Sequence, residues 1–426
     1  METTLAAAEG LSGRITVPGD KSVSHRAVML GALADGETCI KGFLAGEDCL
    51  STISCFEALG ISISRNENSV IVQGKGLSGL QKPEKTLDAG NSGTTMRLMS
   101  GILAGQSFSC RIDGDASLRT RPMDRVIAPL ALMGAQFASN KAPLEITGTR
   151  LHGIRYSLPV PSAQVKSAIL LASLFADGET VIEEPIPSRD HTELMLRACG
   201  AGIERRGNHI YCHSAKRLNP FVAKVPGDIS SAAFFIAAAL ITPGSSIQIE
   251  NVGVNPTRTG ILEAFRAMGA DIDVINLRSE AGEPVGDILA KHSKLVGTEI
   301  SGNIIPRMID EVPVFAVAAL AAKGKTVIKD AQELKVKEVN RIDALAKQLS
   351  KLGAHVEERP DGLIIEGGHP LTGAVVESGG DHRMAMSLAI ASLIAKGETV
   401  IKDSGCVDIS FPGFFDCLER VKRHAL

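Results

Sequence analysis

The sequence predicts an α/β protein of two lobes, each assembled from three copies of one small module. Three observations carry that expectation. A turn, an apolar helix, a glycine stop and a β-branched strand recur in that order six times along the chain. Two of the copies open on the same Val-Pro-Gly-Asp turn, and most are followed by a second helix that stops at a Leu-Gly or Met-Gly pair.

The first copy reads VPGDKSVSHRAVMLGALADGETCIKGF from Val17, and its closest counterpart reads VPGDISSAAFFIAAALITPGSSIQIENV from Val225. The same plan appears in LDAGNSGTTMRLMSGILAGQSFSCRIDG from Leu87 and LPVPSAQVKSAILLASLFADGETVIEE from Leu158. It returns in RMIDEVPVFAVAALAAKGKTVIKD from Arg307 and VESGGDHRMAMSLAIASLIAKGETVIKD from Val376. Second helices end in CFEALG at Cys55, LALMG at Leu130, FRAMG at Phe265 and LSKLG at Leu349, where glycine supplies the left-handed cap. The spacing is roughly seventy residues, longer than any solenoid repeat, so each copy reads as its own module of two helices and several strands.

Six modules give two lobes of three. The twin turns Pro18–Asp20 and Pro226–Asp228 mark the expected passages between them. The N-terminal lobe then spans 20–227 and the C-terminal lobe 1–19 plus 228–426, with hinges near 18–20 and 226–228. Glycine beside a rigid proline permits such a swing. Asp20 and Asp228 also suit plain helix N-caps.

Composition narrows the class. Hydrophobic residues make up 44% and charged residues 22%, the balance of a globular chain. Trp is absent and only Tyr156 and Tyr211 occur, so stacking platforms for single-stranded nucleic acid are not expected. A net charge of −3 offers no general basic surface either. Residues Met1 to Gly13 lack a signal-peptide pattern, and the longest apolar runs, Phe234–Ile241 and Val314–Ala322, are too short to span a bilayer. Eight cysteines without a CxxC pair point to free thiols in a reducing cytoplasm.

The chemistry gathers just before the apolar helices. A helix N-terminus presents unsatisfied N–H groups and the positive end of the dipole, so it favours anions. Lys21, Ser22 and Arg26 form one such set, with Ser22 and Arg26 a turn apart on one face. Gly90-Asn91-Ser92-Gly93-Thr94-Thr95-Met96-Arg97 is a second, in which two glycines let backbone amides approach a ligand, or in which Asn91 or Thr94 simply caps a turn. In Arg119-Thr120-Arg121-Pro122, one arginine is expected to be only a surface charge. Ser162-Ala163-Gln164-Val165-Lys166 offers polar groups for hydroxyls, and Arg189 follows. Asp310 precedes the fifth helix and also suits an N-cap there. Lys337 and Arg341 fall on one helical face with Glu338 one step round, and Asp381-His382-Arg383 opens the sixth helix. Cations set around two acids fit a site that binds two anions and moves protons. No HExxH and no spaced Cys/His set occurs, so no metal site is read.

Taken together, GDKSVSHRA, GNSGT, RPM, SAQVKSA, KVKEVNRI and DHRMA resemble the 5-enolpyruvylshikimate-3-phosphate synthase family of enolpyruvyl transferases, from about Gly10 to about Leu418. The resemblance implies two lobes of three βαβαββ units each, the inside-out α/β barrel of that family. It implies transfer of the enolpyruvyl group of phosphoenolpyruvate to the 5-hydroxyl of shikimate 3-phosphate, in a shikimate-pathway enzyme of aromatic biosynthesis that needs no metal or other cofactor. Lys21, Ser22, Arg26, Ser162, Ala163, Gln164, Arg189, Asp310 and Lys337 would hold shikimate 3-phosphate. Phosphoenolpyruvate would be held by Lys21, Asn91, Ser92, Gly93, Thr94, Arg121, Gln164, Lys337, Arg341 and Arg383. Glu338 matches the family's proton donor and Asp310 its base, with Lys21 a further proton carrier. The phosphoenolpyruvate site is also where glyphosate binds in this family. Ser162-Ala163-Gln164, Arg189 and Val407-Asp408-Ile409-Ser410-Phe411-Pro412 depart from the best-known bacterial form and resemble the family's second class.

Two other readings compete. The enolpyruvyl transferase acting on UDP-N-acetylglucosamine opens with Lys-Asn and carries a reactive cysteine on a mobile loop. Here Asp-Lys-Ser opens the chain and Cys110 lies in a strand-like FSCRI. A non-catalytic anion-binding repeat protein would have no use for an acid set among cations. A monomer with small-molecule substrates, and no nucleic-acid or membrane partner, is the expectation.

Overall fold

The computed structural model describes residues 1–66, 69–280 and 282–423. The chain forms two compact units. One, the N-terminal lobe, is Gly19–Val225 with the short excursion Ser279–Glu283; the other, the C-terminal lobe, is Met1–Pro18, Pro226–Arg278 and Pro284–Leu426. The excursion is anchored inside the N-terminal lobe, where buried Glu283 meets His191 Nδ1 at 2.7 Å and Glu280 meets Lys224 Nζ at 3.1 Å.

The N-terminal lobe holds α1 (Lys21–Leu33), α2 (Glu47–Ala58), α3 (Gly93–Ala104), α4 (Ala116–Thr120), α5 (Asp124–Leu132), α6 (Ala163–Ser173) and α7 (His191–Ala198). Each of its three modules has one four-stranded sheet of the same topology. In the second, Leu87–Asp88 runs parallel to Ser109–Asp113, which pairs antiparallel with Leu144–Thr147, itself hairpinned to Gln136–Phe137. The third repeats this with Arg155–Ser157, Glu179–Glu183, His209–His213 and Ile203–Arg206. The first module borrows its opening strand, because Val222–Lys224 from the far end of the lobe pairs parallel to Asp35–Lys41.

The C-terminal lobe holds α8 (Ile229–Ile241), α9 (Gly260–Ala267), α10 (Val312–Ala321), α11 (Arg341–Lys351), α12 (His382–Ser392) and α13 (Phe414–Val421). Its fourth module borrows Ser12–Thr16 as the opening strand beside Ser246–Gly253. Its sixth borrows Glu2–Ala6, which pairs antiparallel with Glu398–Lys402. The chain's first strands thus complete modules that lie more than two hundred residues on; five modules carry a four-stranded sheet and the sixth a three-stranded one.

Helix roles follow from composition. α8 is buried along its whole length and α10 from Val312 to Leu320, as expected of helices apolar all round. α11 instead buries one stripe, Arg341, Ile342, Leu345 and Leu349, and shows water the rest. The second helices α2, α5, α7, α9 and α11 each end at a glycine of positive φ: Gly60, Gly134, Gly200, Gly269 and Gly353. Phe235, Phe411 and Phe414 interlock with ring centroids 5.4–5.7 Å apart and tie α13 to α8.

In the N-terminal lobe the tightest crossing joins α3 to α6. A Cβ on Gly101 would lie 2.2 Å from the carbonyl oxygen of Ala168, so only glycine lets the backbones come this close. Gly101→Val should destabilise this lobe by about 3 kcal/mol or more, because neither backbone can give way locally. An unchanged urea midpoint would contradict that packing.

Candidate active site

Within the N-terminal lobe the starts of α1, α3 and α6 are stitched together by side chains. Asp20 caps α1 by accepting from Val23 N at 2.9 Å. Lys21, beside it, is ion-paired with Asp48 in the first turn of α2. Burial alone would raise the Asp48 carboxyl, but Lys21 outweighs it and holds it below the ordinary range. The backbone oxygen of Asp48 accepts from Thr95 in α3 at 3.3 Å, and Thr94 Oγ1 accepts from Gln164 Nε2 in α6 at 3.1 Å.

The glycine turn before α3 is capped by Ser92, which accepts from Thr95 N at 3.1 Å. Neither Asn91 nor Thr94 is the cap: Asn91 is too early, and Thr94 already lies inside the helix. Asn91 instead receives Arg121, with Nη2 2.6 Å from Oδ1. Arg119 turns away to Asp113 at 2.6 Å, so the two arginines of the RTRP segment separate into one beside the turn and one surface charge. A Cβ on Gly93 would sit 2.8 Å from Arg97 Nη1 and 3.5 Å from Arg121 Nη1, which places Gly93 against both guanidinium groups. Arg97 Nη1 donates to Gln164 Oε1 at 2.8 Å, fixing which way the Gln164 amide faces.

Beneath this surface runs a buried chain of hydroxyls. His25 Nδ1 lies 2.7 Å from Thr52 Oγ1, Thr52 2.7 Å from Thr95 Oγ1, and Thr95 2.7 Å from Ser92 Oγ. Burial pushes the His25 imidazole down to about 3, so it is neutral at pH 7 and braces the turn without adding charge. Arg26 is also largely internal, with Nε 2.6 Å from Thr192 Oγ1, Nη2 2.8 Å from Ser167 Oγ, and Nη1 2.9 Å from the Ser22 carbonyl. Lys166, read from the sequence as a group offered to hydroxyls, is fully buried between Glu184 at 2.9 Å and Glu193 at 2.8 Å. Ser162 caps α6, accepting from Val165 N at 3.4 Å, with Ala163 next to it at the first helical position. Arg189 lies between Ser188, which donates to Glu184 Oε1 at 2.5 Å, and the start of α7.

The C-terminal lobe collects a second set. Arg341 is 1% exposed and holds three carboxylates: Asp381 at 2.7 Å, Glu338 at 2.7 Å and Asp310 at 3.5 Å. Lys337 Nζ lies 3.6 Å from Asp310, and Arg383 Nη1 donates to the Asp310 carbonyl at 3.2 Å. Two sequence expectations fail here. Asp310 is not the N-cap of α10, because Glu311 occupies that position and a tight turn precedes it. Lys337 and Arg341 do not share a helix, because Asn340 caps α11 and Lys337 stands outside it after the turn Gln332–Val336.

Burial alone would raise the Glu338 carboxyl, but the charge of Arg341, helped by His382, overrides it and holds Glu338 at about 2. Glu338 is therefore a carboxylate in the ligand-free protein. As a group whose folded pKa is depressed, it adds stability above its ordinary value and loses it as pH falls toward 2. Sequence reasoning passed over Asp48 and Glu311, and it placed Asp381 at a helix start without its partner. Asp48 had a signal, an acid in the first turn of a helix, whereas the partnership of Asp381 with Arg341 spans forty residues and had none.

Two sets of cations, each seated where three helices begin and each interleaved with acids, define an α/β enzyme that handles small anionic substrates through proton transfer. The family model described as EPSP synthase (3-phosphoshikimate 1-carboxyvinyltransferase) matches residues 5–418. A 3-phosphoshikimate 1-carboxyvinyltransferase of Brevibacillus brevis is 55% identical over 420 residues, 98% of this chain and 99% of its own length. One from a Thermoanaerobacter species is 56% identical over 408 residues, 95% of this chain and 96% of its own. A solved EPSP synthase of Acinetobacter baumannii superposes with a TM-score of 0.91 at 45% identity, over 99% of this chain and 98% of that one. The chain belongs to the EPSP synthase family. Cys110, the thiol that the rival transferase reading requires to be reactive, lies in the strand Ser109–Asp113, and burial pushes it up to about 11.

Proposed function

We propose that Glu338 and Asp310 supply the acid and the base for one reaction, the transfer of the enolpyruvyl group of phosphoenolpyruvate to the 5-hydroxyl of shikimate 3-phosphate with release of phosphate. The transfer itself follows from membership of the family; the division of labour rests on the geometry above. The single observation that carries it is the Asp310–Arg341–Glu338 arrangement, an acid and a base held on one buried guanidinium.

In this reading Lys21, Ser22, Arg26, Ser162, Ala163, Gln164, Arg189, Asp310 and Lys337 hold shikimate 3-phosphate. Lys21, Asn91, Ser92, Gly93, Thr94, Arg121, Gln164, Lys337, Arg341 and Arg383 hold phosphoenolpyruvate. Ser92 is fully buried, so its part is to shape the turn with its hydroxyl. Arg341 is almost as enclosed and, besides its place in that set, orients the carboxylates around it.

Addition needs a proton at the methylene carbon of phosphoenolpyruvate and removal of one from the attacking hydroxyl. Glu338 supplies the first and Asp310 accepts the second, with Lys21 carrying protons on its side. An anion arriving among the arginines weakens the pull of Arg341 on Glu338 and adds repulsion, so the Glu338 pKa rises from about 2 and the group takes up the proton it then delivers. The tetrahedral adduct carries a methyl group where the methylene was. Elimination reverses the roles: the carboxylate of Glu338 removes a proton from that methyl, the carbon–oxygen bond to phosphate breaks, and nearby cations stabilise the departing charge. Product formed in deuterium oxide should therefore carry deuterium on its methylene carbon. Product with none would overturn addition followed by elimination.

The turns Pro18–Asp20 and Pro226–Asp228 serve as hinges in this reading. Cations gathered at helix N-termini repel one another until an anion joins them, so shikimate 3-phosphate should compact the protein in small-angle X-ray scattering. An identical profile at saturating ligand would remove the hinges from the account. The enzyme works as a cytoplasmic monomer. Free thiols at all eight cysteines suit a reducing compartment. Among the described residues no helix is long and apolar enough to cross a membrane.

A further inference from the structure

Outside the active-site set, three side chains converge on the surface of the fifth module. His355 opens the strand His355–Arg359 and is the direct cross-strand partner of Glu366 in Gly362–Gly367. His369 follows two residues after that strand. Gly368, with φ +84°, makes the turn between them, and its N–H is tied to the Leu320 carbonyl at the end of α10 at 2.9 Å. The His355 and His369 rings stack with centroids 4.1 Å apart, and Glu366 Oε2 lies 3.8 Å from His355 Nδ1. One ligand atom from each of the three falls within 4.8 Å of the other two, and all three residues are exposed.

We propose that His355, Glu366 and His369 bind a divalent transition cation of the zinc type. Two imidazole nitrogens and one carboxylate oxygen are a donor set for zinc, cobalt, nickel or copper, whereas magnesium and calcium take oxygen alone. In tetrahedral zinc with bonds of about 2.0–2.2 Å the ligand atoms stand roughly 3.4 Å apart. The observed spread of up to 4.8 Å is wider than that, and the two stacked rings must swing apart so that both nitrogens aim at one point, a rotamer change open to exposed side chains. Water takes the fourth position. The backbone beneath is rigid, since two of the ligands are locked by strand register and the third by the tethered turn.

The cation clips the end of a hairpin to the segment after it and so stabilises the C-terminal lobe. It takes no part in the transfer. The cluster lies past the C-terminal end of α11, the helix that opens with Arg341 at the active site, and an 11-residue helix is about 16 Å long. Neither HExxH nor any Cys/His spacing announces the site, because a cross-strand register and a glycine turn create it.

The test is calorimetric titration of zinc chloride into chelator-treated full-length protein, alongside His355→Ala and His369→Ala. The expected result is one equivalent bound by the wild type, affinity at least tenfold weaker in each variant, and a melting temperature that zinc raises only in the wild type. Cobalt in place of zinc should give visible d–d bands without the thiolate charge-transfer band that cysteine ligation would add. Enolpyruvyl transfer should be equal in all three proteins, with or without chelator. Identical zinc isotherms in the wild type and His369→Ala, a cobalt–thiolate band, or no binding at about 1 mM zinc would each overturn the proposal.

Discussion

Glu338→Gln is expected to lower turnover by two to four orders of magnitude, the range general acid catalysis supplies, while shikimate 3-phosphate binds almost as before. The amide keeps the shape of the side chain and cannot deliver a proton to carbon. The fold survives the change, because Arg341 keeps Asp381 at 2.7 Å and Asp310 at 3.5 Å when it loses Glu338. A second readout separates a proton donor from a mere partner of Arg341. In the free protein Glu338 stands at about 2, so at neutral pH a donor must be reprotonated when the anion arrives. Titration calorimetry of phosphoenolpyruvate alone, in buffers of different ionisation enthalpy, should show proton uptake in the wild type that Glu338→Gln lacks. A pKa raised in the complex also makes this binding weaken as pH rises through it. Near-normal turnover in the variant would remove Glu338 from the mechanism.

Gly93→Ala should separate glyphosate from phosphoenolpyruvate. The new methyl would lie 2.8 Å from Arg97 Nη1. A guanidinium tip can move aside, so the protein folds, but the move strains the bond from Arg97 to Gln164 Oε1, now 2.8 Å. The turn is then both narrower and held by a displaced arginine. In the proposed site glyphosate, longer than the substrate, would press harder on the Asn91-Ser92-Gly93 turn, so its inhibition constant should rise about a hundredfold. The Michaelis constant for phosphoenolpyruvate should rise about tenfold, a difference of roughly 1.4 kcal/mol between the two ligands. Inhibition constants that are equal in the two proteins would show that Gly93 does not line the inhibitor site.

Much of this architecture is written locally. Helix, glycine stop and β-branched strand follow one another within thirty residues, so the modules are legible even though the strands that complete three of them come from far away. Legibility fails where the outcome depends on a distant partner. Nothing in the sequence distinguishes Lys166, sealed between Glu184 and Glu193, from Lys21, which pairs with Asp48 at a helix mouth. Arg26 and Arg341 look like surface cations in one dimension and are braces in three. Lys337 and Arg341 have the spacing of one helical face, yet Asn340 starts a new helix between them. Arg97 sits inside a motif already singled out, but its bond to Gln164 spans two modules.

Phosphoenolpyruvate and shikimate 3-phosphate are the substrates of this family's reaction, and phosphate release measures that reaction directly. Purified protein given both should release phosphate continuously, in step with loss of phosphoenolpyruvate. Either substrate alone, or UDP-N-acetylglucosamine in place of shikimate 3-phosphate, should yield none above background. Release that depends on the sugar nucleotide, or no release with both proposed substrates present, would contradict the account.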